Sequence, residues 1–193
     1  MKTFHALTPG TKIKGDWFDK SIPKNITVGT NCLVNSAHCF INYHSNKKLG
    51  LLIGDNSVFY ETSFAVEESG FLEIGSNCFF SNTSHVVSKK ITIGNDVFIA
   101  GGVTIVDSNF HPLDPVTRMQ DVIALSPSGD RSQRPKIEAN PVRIGNNVWI
   151  GQNAAIMSGV HVGDDVTILP GSVVIRSVNS GETVAGNPAK PIE

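Results

Sequence analysis

The sequence is poor in the features that mark most simple function classes. It has only three cysteines, Cys32, Cys39 and Cys78, and no CxxC pair. An odd count without paired spacing argues against a disulfide framework and offers no zinc-ligand pattern. Excess charge is also missing: 16 Lys and Arg face 17 Asp and Glu, a formal net charge of -1. A nucleic-acid-binding surface would show a basic excess or stripe, so no nucleic-acid partner is expected. No apolar run is long enough to span a bilayer, and no basic-then-apolar leader opens the chain. A cytoplasmic protein without a membrane span is therefore expected. Against these absences, 40% hydrophobic residues with 17% charged excludes a disordered composition, and 193 residues suit one domain with a sizeable core.

The dominant positive signal is an internal repeat of six. Six consecutive hexads open with Ile or Val, at Ile144, Ile150, Ile156, Val162, Ile168 and Val174. Their fifth residues are small or β-branched: Val148, Ala154, Val160, Val166, Ser172 and Val178. The same frame recurs upstream from Val28, Ile53, Ile74 and Ile93, and Cys32, Ser57 and Cys78 fall in the fifth position. Cys32 and Cys78 are accordingly read as packing residues.

A period of six matches neither a lone helix nor a lone alternating strand. It suits a short strand and a tight turn, repeated and stacked. The large aliphatic points inward, while Gly, Asn and Asp supply the turns. Each coil then buries its neighbour's apolar face. Three hexads close one triangular coil, and an Ile/Val-Gly pair marks one corner at Val28, Ile53, Ile74, Ile93, Ile144 and Val162. The interval of 51 between Ile93 and Ile144 holds a long polar insertion, about 107–143, rich in Pro and Ser. A long loop extruded from a regular solenoid is a functional candidate. The expected organisation is an N-terminal segment 1–27, an all-β parallel β-helix over 28–185 carrying this loop, and a C-terminal tail 186–193.

Three segments sharpen this reading: HPLDPVTR from His111, PVRIGNNVWIG ending at Gly151, and AGNPAKPI ending at Ile192. With the hexads, the chain resembles the hexapeptide-repeat acyltransferases, in the branch of maltose, galactoside and nodulation-factor O-acetyltransferases and their polysaccharide-acetylating relatives. The resemblance implies a left-handed helix, a hand that periodicity does not set and that runs against the usual right-handed parallel crossover. It also implies a homotrimer with sites between subunits and acetyl-CoA along the C-terminal coils. His111 is implied as the catalytic base, Trp149 as lining the donor site, and Lys190 and Arg176 as meeting CoA phosphates. Gln152 follows the VWIG segment on the donor side, where some relatives carry a small residue. The helical N-terminal segment of the maltose and galactoside enzymes is absent, and the loop carries extra residues around Arg118–Glu138.

Acyl transfer to an alcohol needs a base, because a hydroxyl is hardly ionised at neutral pH, and histidine suits that work. Asp107, Asp114 and Glu138 are the carboxylates that could orient His111, with Asp114 and Glu138 also expected near the acceptor. Asn82 and Ser81, one coil earlier, are expected to meet the acceptor sugar. His85 ends a hexad, is expected to point outward, and is a weaker acceptor-site candidate. No metal is implied. Two rivals remain at this stage. An N-acetyltransferase of amino-sugar nucleotides often adds a nucleotide-binding domain. A non-acylating β-helix, carbonic-anhydrase-like or structural, needs three gathered histidines in its zinc form, and the histidines here show no such cluster.

Overall fold

The computed structural model describes residues 4–192; residues 1–3 and 193, the outer ends of the two flanking segments, lie outside the described residues. Short strands stack into three sheets around one core. The first face comprises Ile26–Val28, Leu51–Ile53, Leu72–Ile74, Ile91–Ile93, Val142–Ile144 and His161–Val162. The second runs from Leu33–Val34 through Val58–Tyr60, Phe79–Ser81, Phe98–Ile99, Trp149–Ile150 and Thr167–Ile168 to Thr183–Gly186. The third comprises Ser63–Val66, Ser84–Val87, Thr104–Val106, Ala155–Ile156 and Val173–Val174. All ladders between successive coils are parallel. Two short antiparallel strands, His5–Ala6 and Ala189–Pro191, cover the two ends of the second face.

The repeat explains the register. Val28, Ile53, Ile74, Ile93, Ile144 and Val162 stand directly above one another. Glycine follows each of them because the next coil passes too close for a side chain: a Cβ on Gly94 would lie 2.6 Å from the carbonyl oxygen of Gly145. Two residues on, Asn31, Asn56, Asn77, Asp96, Asn147 and Asp165 all adopt positive φ, which short polar side chains tolerate best after glycine. Their side chains form a ladder: Asn31 donates to Asn56 at 3.1 Å, Asn77 to Asp96 at 2.9 Å and Asn147 to Asp165 at 2.8 Å. The adjoining small positions, including Cys32, Ser57, Cys78 and Val148, are buried. Burial raises the Cys78 thiol to about 11 and the Cys39 thiol to about 12, so both stay protonated packing groups.

One expectation is overturned here. His85 does not point outward; its side chain is fully buried, against the rings of Phe64 and Phe80. The cause is a shortened corner. The buried corner residue Thr83 lies three positions after Phe80, whereas Val103 lies four after Ile99. Because strand side chains alternate, a slip of one position flips every side chain to the other surface. His85 therefore enters the inward column between Phe64 and Ile105.

The insertion leaves between Val106 and Val142 on a rigid stem. The buried Asp107 carboxylate accepts the backbone N–H groups of Ser88, Lys89 and Lys90 at 2.7–2.8 Å. Its carbonyl accepts from Asn140 N and Ser158 Oγ, both at 2.8 Å. Beyond the stem the loop is not irregular throughout: it forms one α-helix, α1 (Pro115–Leu125), and a 3-10 turn at Arg131–Gln133.

Candidate functional site

His111 sits just beyond the stem, before α1. The preceding Phe110 has φ of 62°, an uncommon left-handed conformation for an aromatic residue, and it turns the chain so that the imidazole meets the helix. His111 Nδ1 lies 2.6 Å from Asp121 Oδ2. The Asp121 side chain is fully buried, while that of His111 is 43% exposed. With Nδ1 engaged, Nε2 is the nitrogen available to a ligand, and the pair has the geometry of a base held in one tautomer by a carboxylate.

Asp121 is itself held from behind. Arg134 Nε donates to Asp121 Oδ1 at 2.7 Å, and Arg134 Nη2 reaches the carbonyl of Phe110 at 3.4 Å. Arg134 Nη1 pairs with Glu67 Oε1 at 2.9 Å, and Arg131 Nη2 takes the other oxygen of Glu67 at 2.8 Å. Burial opposes ionisation of Asp121, but bonds and charges from Arg134 and His111 outweigh it and hold the carboxyl below its ordinary value. Burial likewise opposes the Arg134 cation, and Asp121 and Glu67 more than restore it.

The carboxylates expected to orient the base do other work. Asp114 is the N-cap of α1: it accepts from Thr117 N at 2.8 Å and Thr117 Oγ1 at 2.7 Å, ahead of Pro115 at the first helical position. These bonds hold its carboxyl below the usual range. Asp107 is spent on the stem, and there burial outweighs its three N–H partners and raises the carboxyl. Among the described residues the imidazole's hydrogen bond goes to Asp121 and not to Glu138. Glu138 does line, with His111, Asp114, Thr117 and Lys136, a hollow of about 260 Å³. A larger hollow of about 740 Å³ shares residues 136–138 with it and is walled by Glu67, Arg131 and Arg134. Asp121, Arg134 and Glu67 were not among the residues singled out from sequence.

The remaining candidates lie on another edge. Asn82 is exposed at the corner between the second and third faces, with positive φ, and its carbonyl accepts from Gly102 N. Ser81 precedes it, half-buried. Gln152 occupies the same corner two coils on, where its carbonyl accepts from Gly171 N. Beside this edge the second face carries exposed aromatics in one column: Phe79, Phe98 and Trp149. Lys190 is exposed at the end of that face. Arg176 is exposed but lies beyond the third face, at the corner from which the loop springs two coils earlier. The fully buried His85 cannot meet an acceptor. Thus one chain gathers His111, Asp114 and Glu138, and separately Asn82, Gln152 and Trp149. Among the described residues no group of His, Cys, Asp and Glu could hold a metal ion, and no helix is long and apolar enough to cross a membrane.

Comparison with known proteins places this geometry in context. The family model described as bacterial transferase hexapeptide (six repeats) matches residues 141–176. A putative acetyltransferase of Saccharomyces cerevisiae is 36% identical over 137 residues, which cover 67% of this chain and 62% of that protein. A probable macrolide acetyltransferase of Lysinibacillus sphaericus is 37% identical over 123 residues, 60% of this chain and 67% of that protein. Among solved structures, a galactoside acetyltransferase in complex with coenzyme A is similar with a TM-score of 0.50 and 25% identity, over 86% of this chain and 64% of that one. The chain thus spans less than two thirds of the length of the yeast relative.

Proposed function

This chain belongs to the hexapeptide-repeat transferase family, with its left-handed parallel β-helix, and from that premise we propose that it transfers an acetyl group from acetyl-CoA to a hydroxyl of a sugar or glycan precursor. The observation that carries the proposal is the buried Asp121 fixed 2.6 Å from Nδ1 of a half-exposed His111. In this reading Nε2 of His111 takes the proton of the acceptor hydroxyl as its oxygen attacks the thioester carbon. The new C–O bond forms, the C–S bond breaks, and the departing thiolate recovers a proton from the imidazolium. Asp121 keeps the proton on Nδ1 and favours the imidazolium without itself being protonated. Asp114 and Glu138 line the hollow beside the base and are assigned to the acceptor's remaining hydroxyls, together with Asn82 and Ser81.

The donor is assigned to the second-face edge. Trp149, 39% exposed beside Phe98 and Phe79, offers an apolar surface to the donor, and Gln152 sits at the adjoining corner. Lys190, exposed at the end of that face, and Arg176, exposed at the loop corner, suit phosphate groups as charge-assisted donors. The base and this edge lie on different corners of one chain, which supports a homotrimer in which one copy's loop faces another copy's second face. The galactoside acetyltransferase in complex with coenzyme A supports an acyl-CoA donor and a sugar acceptor. A cytoplasmic setting, where acetyl-CoA is available, fits the same reading.

The test is His111→Ala, assayed by free-thiol release from acetyl-CoA against a panel of sugars, nucleotide sugars and amino-sugar nucleotides. The variant is expected to fold and assemble as the wild type does. Its transfer rate should fall by roughly 10²–10⁴-fold, with acetyl-CoA affinity little changed, since proton removal is needed only in the transition state. A near-normal rate on the true acceptor would overturn the His base, and preferential acetylation of an amino sugar would replace the hydroxyl by an amine.

A further inference from the structure

Behind the base runs a line of alternating charge. It starts at His111, passes through Asp121 and Arg134, and ends at Glu67 with Arg131. Four of its five residues belong to the extruded loop. Glu67 does not: it follows the third-face strand Ser63–Val66, two coils before the coil from which the loop departs, and its backbone N–H is tied to Val87 of the next coil. The solenoid therefore reaches up to the loop through one carboxylate, and that carboxylate bears on the residue that aligns the catalytic pair.

Two physical consequences follow from its place. The first is orientation. Arg134 uses its Nε on Asp121, its Nη1 on Glu67 and its Nη2 on the carbonyl before His111. A guanidinium is a planar fork, so fixing one edge on Glu67 fixes the direction of the other two donors. The second is charge. Arg134 alone beside Asp121 would cancel the negative charge that favours a protonated His111. Glu67 offsets Arg134 in turn, and Arg131 completes a neutral set of two carboxylates and two guanidinium groups. The Asp121 side chain is fully buried and that of Arg134 only 13% exposed, so these charges are weakly screened where they meet the imidazole. Asp114, Lys136 and Glu138 line the hollow of His111, and Arg118 donates to the carbonyls of Pro112 and Leu113 beside it.

We infer that Glu67, acting through Arg134 and Asp121, is a positioning residue for His111, so that the alignment and basicity of the base are set by the solenoid rather than by the loop alone. This rests on the assignment of His111 as base. Glu67 touches no substrate in this scheme.

Glu67→Gln keeps the shape and removes the charge. The expected result is a loss in turnover on the order of 10-fold, the size of a coupling between groups in one ion-pair network, with the KM for acetyl-CoA within about twofold. The acidic limb of the pH–rate profile should move to lower pH, because the imidazolium loses net negative charge behind it. Glu67→Asp should recover part of the loss. Arg134→Lys, which keeps the charge but loses the fork, should lower turnover with Glu67→Gln. Glu68→Gln, a neighbouring carboxylate without an arginine partner, should behave as wild type. The decisive arm repeats Glu67→Gln in the His111→Ala background, where the residual rate should change by less than about twofold. An equal loss in both backgrounds, or an unmoved acidic limb in Glu67→Gln, would make Glu67 merely structural and overturn the inference. Should His111→Ala itself be fully active, the base assignment fails instead, and the two failures are told apart by that single variant.

Discussion

At the scale of single residues, the two histidines that matter divide what sequence can and cannot reveal. The HPLDP segment and the solenoid interruption both single out His111 in the sequence, and its role as base is a proposal. Its partner Asp121 was not legible, because the pair is ten residues apart and joined only by the way the chain turns at Phe110. Asp114, nearer in sequence, is one of the three carboxylates expected as orienters, but it caps a helix. His85 was misread through a one-residue corner deletion, and its true position has a consequence for stability. Among the described residues neither ring nitrogen makes a well-formed hydrogen bond, and burial, opposed weakly by the Ser63 backbone, lowers its pKa to about 4 from an ordinary 6.5. A folded-state pKa below the unfolded one means that stability is complete above pH 6.5 and is lost as pH falls from there towards 4, where the unfolded chain binds a proton that the native core refuses. The full loss is on the order of 3 kcal/mol. His85→Leu, which fits a column of Phe64 and Ile105, should therefore raise stability at pH 7 by about 1–3 kcal/mol, and should flatten the fall between pH 6.5 and 4. Urea melts at pH 7 and 4.5 check both. A wild type and variant with parallel pH dependence would show that His85 is not the acid-sensitive group.

At the scale of elements, α1 reads inside out. Its buried residues are Asp121 and Ala124, while Val116, Met119, Val122 and Ile123 are 49–68% exposed. An amphipathic reading of the same stretch would turn the apolar stripe inward and Asp121 to solvent. The start of the helix was written in the sequence as Asp114 followed by Pro115, an N-cap with proline at the first helical position, but the same letters also belong to the segment that marks the base. The Ile/Val-Gly corners, by contrast, were legible in the sequence, since glycine corners and the asparagine ladder fix each coil on the next. Helix α1 answers instead to the charged line behind His111, which claims its inner face. Its exposed stripe is then surface that the proposed trimer should cover. Met119→Asp should leave thermal unfolding of the coils nearly unchanged, because Met119 is 59% exposed on the loop helix, yet shift sedimentation towards smaller species and lower activity. A variant that sediments as the wild type does would remove α1 from the subunit interface.

At the scale of the whole molecule, the parallel stack separates what the proposed chemistry must join. The solenoid places side chains in columns along its length, so residues at different corners stay apart however many coils are added. His111 springs from the corner between third and first faces, and Trp149 stands on the second face. Column positions could be read from the repeat; which corner meets which in an assembly could not, because that depends on surfaces beyond one chain. If each site takes His111 from one subunit and Trp149 from the next, closed cyclic symmetry makes every site a shared one. This gives a test that no single variant provides. His111→Ala removes the base, and Trp149→Ala removes the aromatic wall of the donor edge, so each protein alone should be nearly inactive at acetyl-CoA concentrations below KM. Unfolded together in equal amounts and refolded, they should form mixed trimers. A site then has an even chance of an intact base and an independent even chance of an intact donor wall, and about a quarter of the wild-type rate should return. If both residues served the same site from within one chain, no mixture could contain an intact site. The mixture would then be as inactive as its parents, and the shared-site arrangement would be wrong even with the trimer standing.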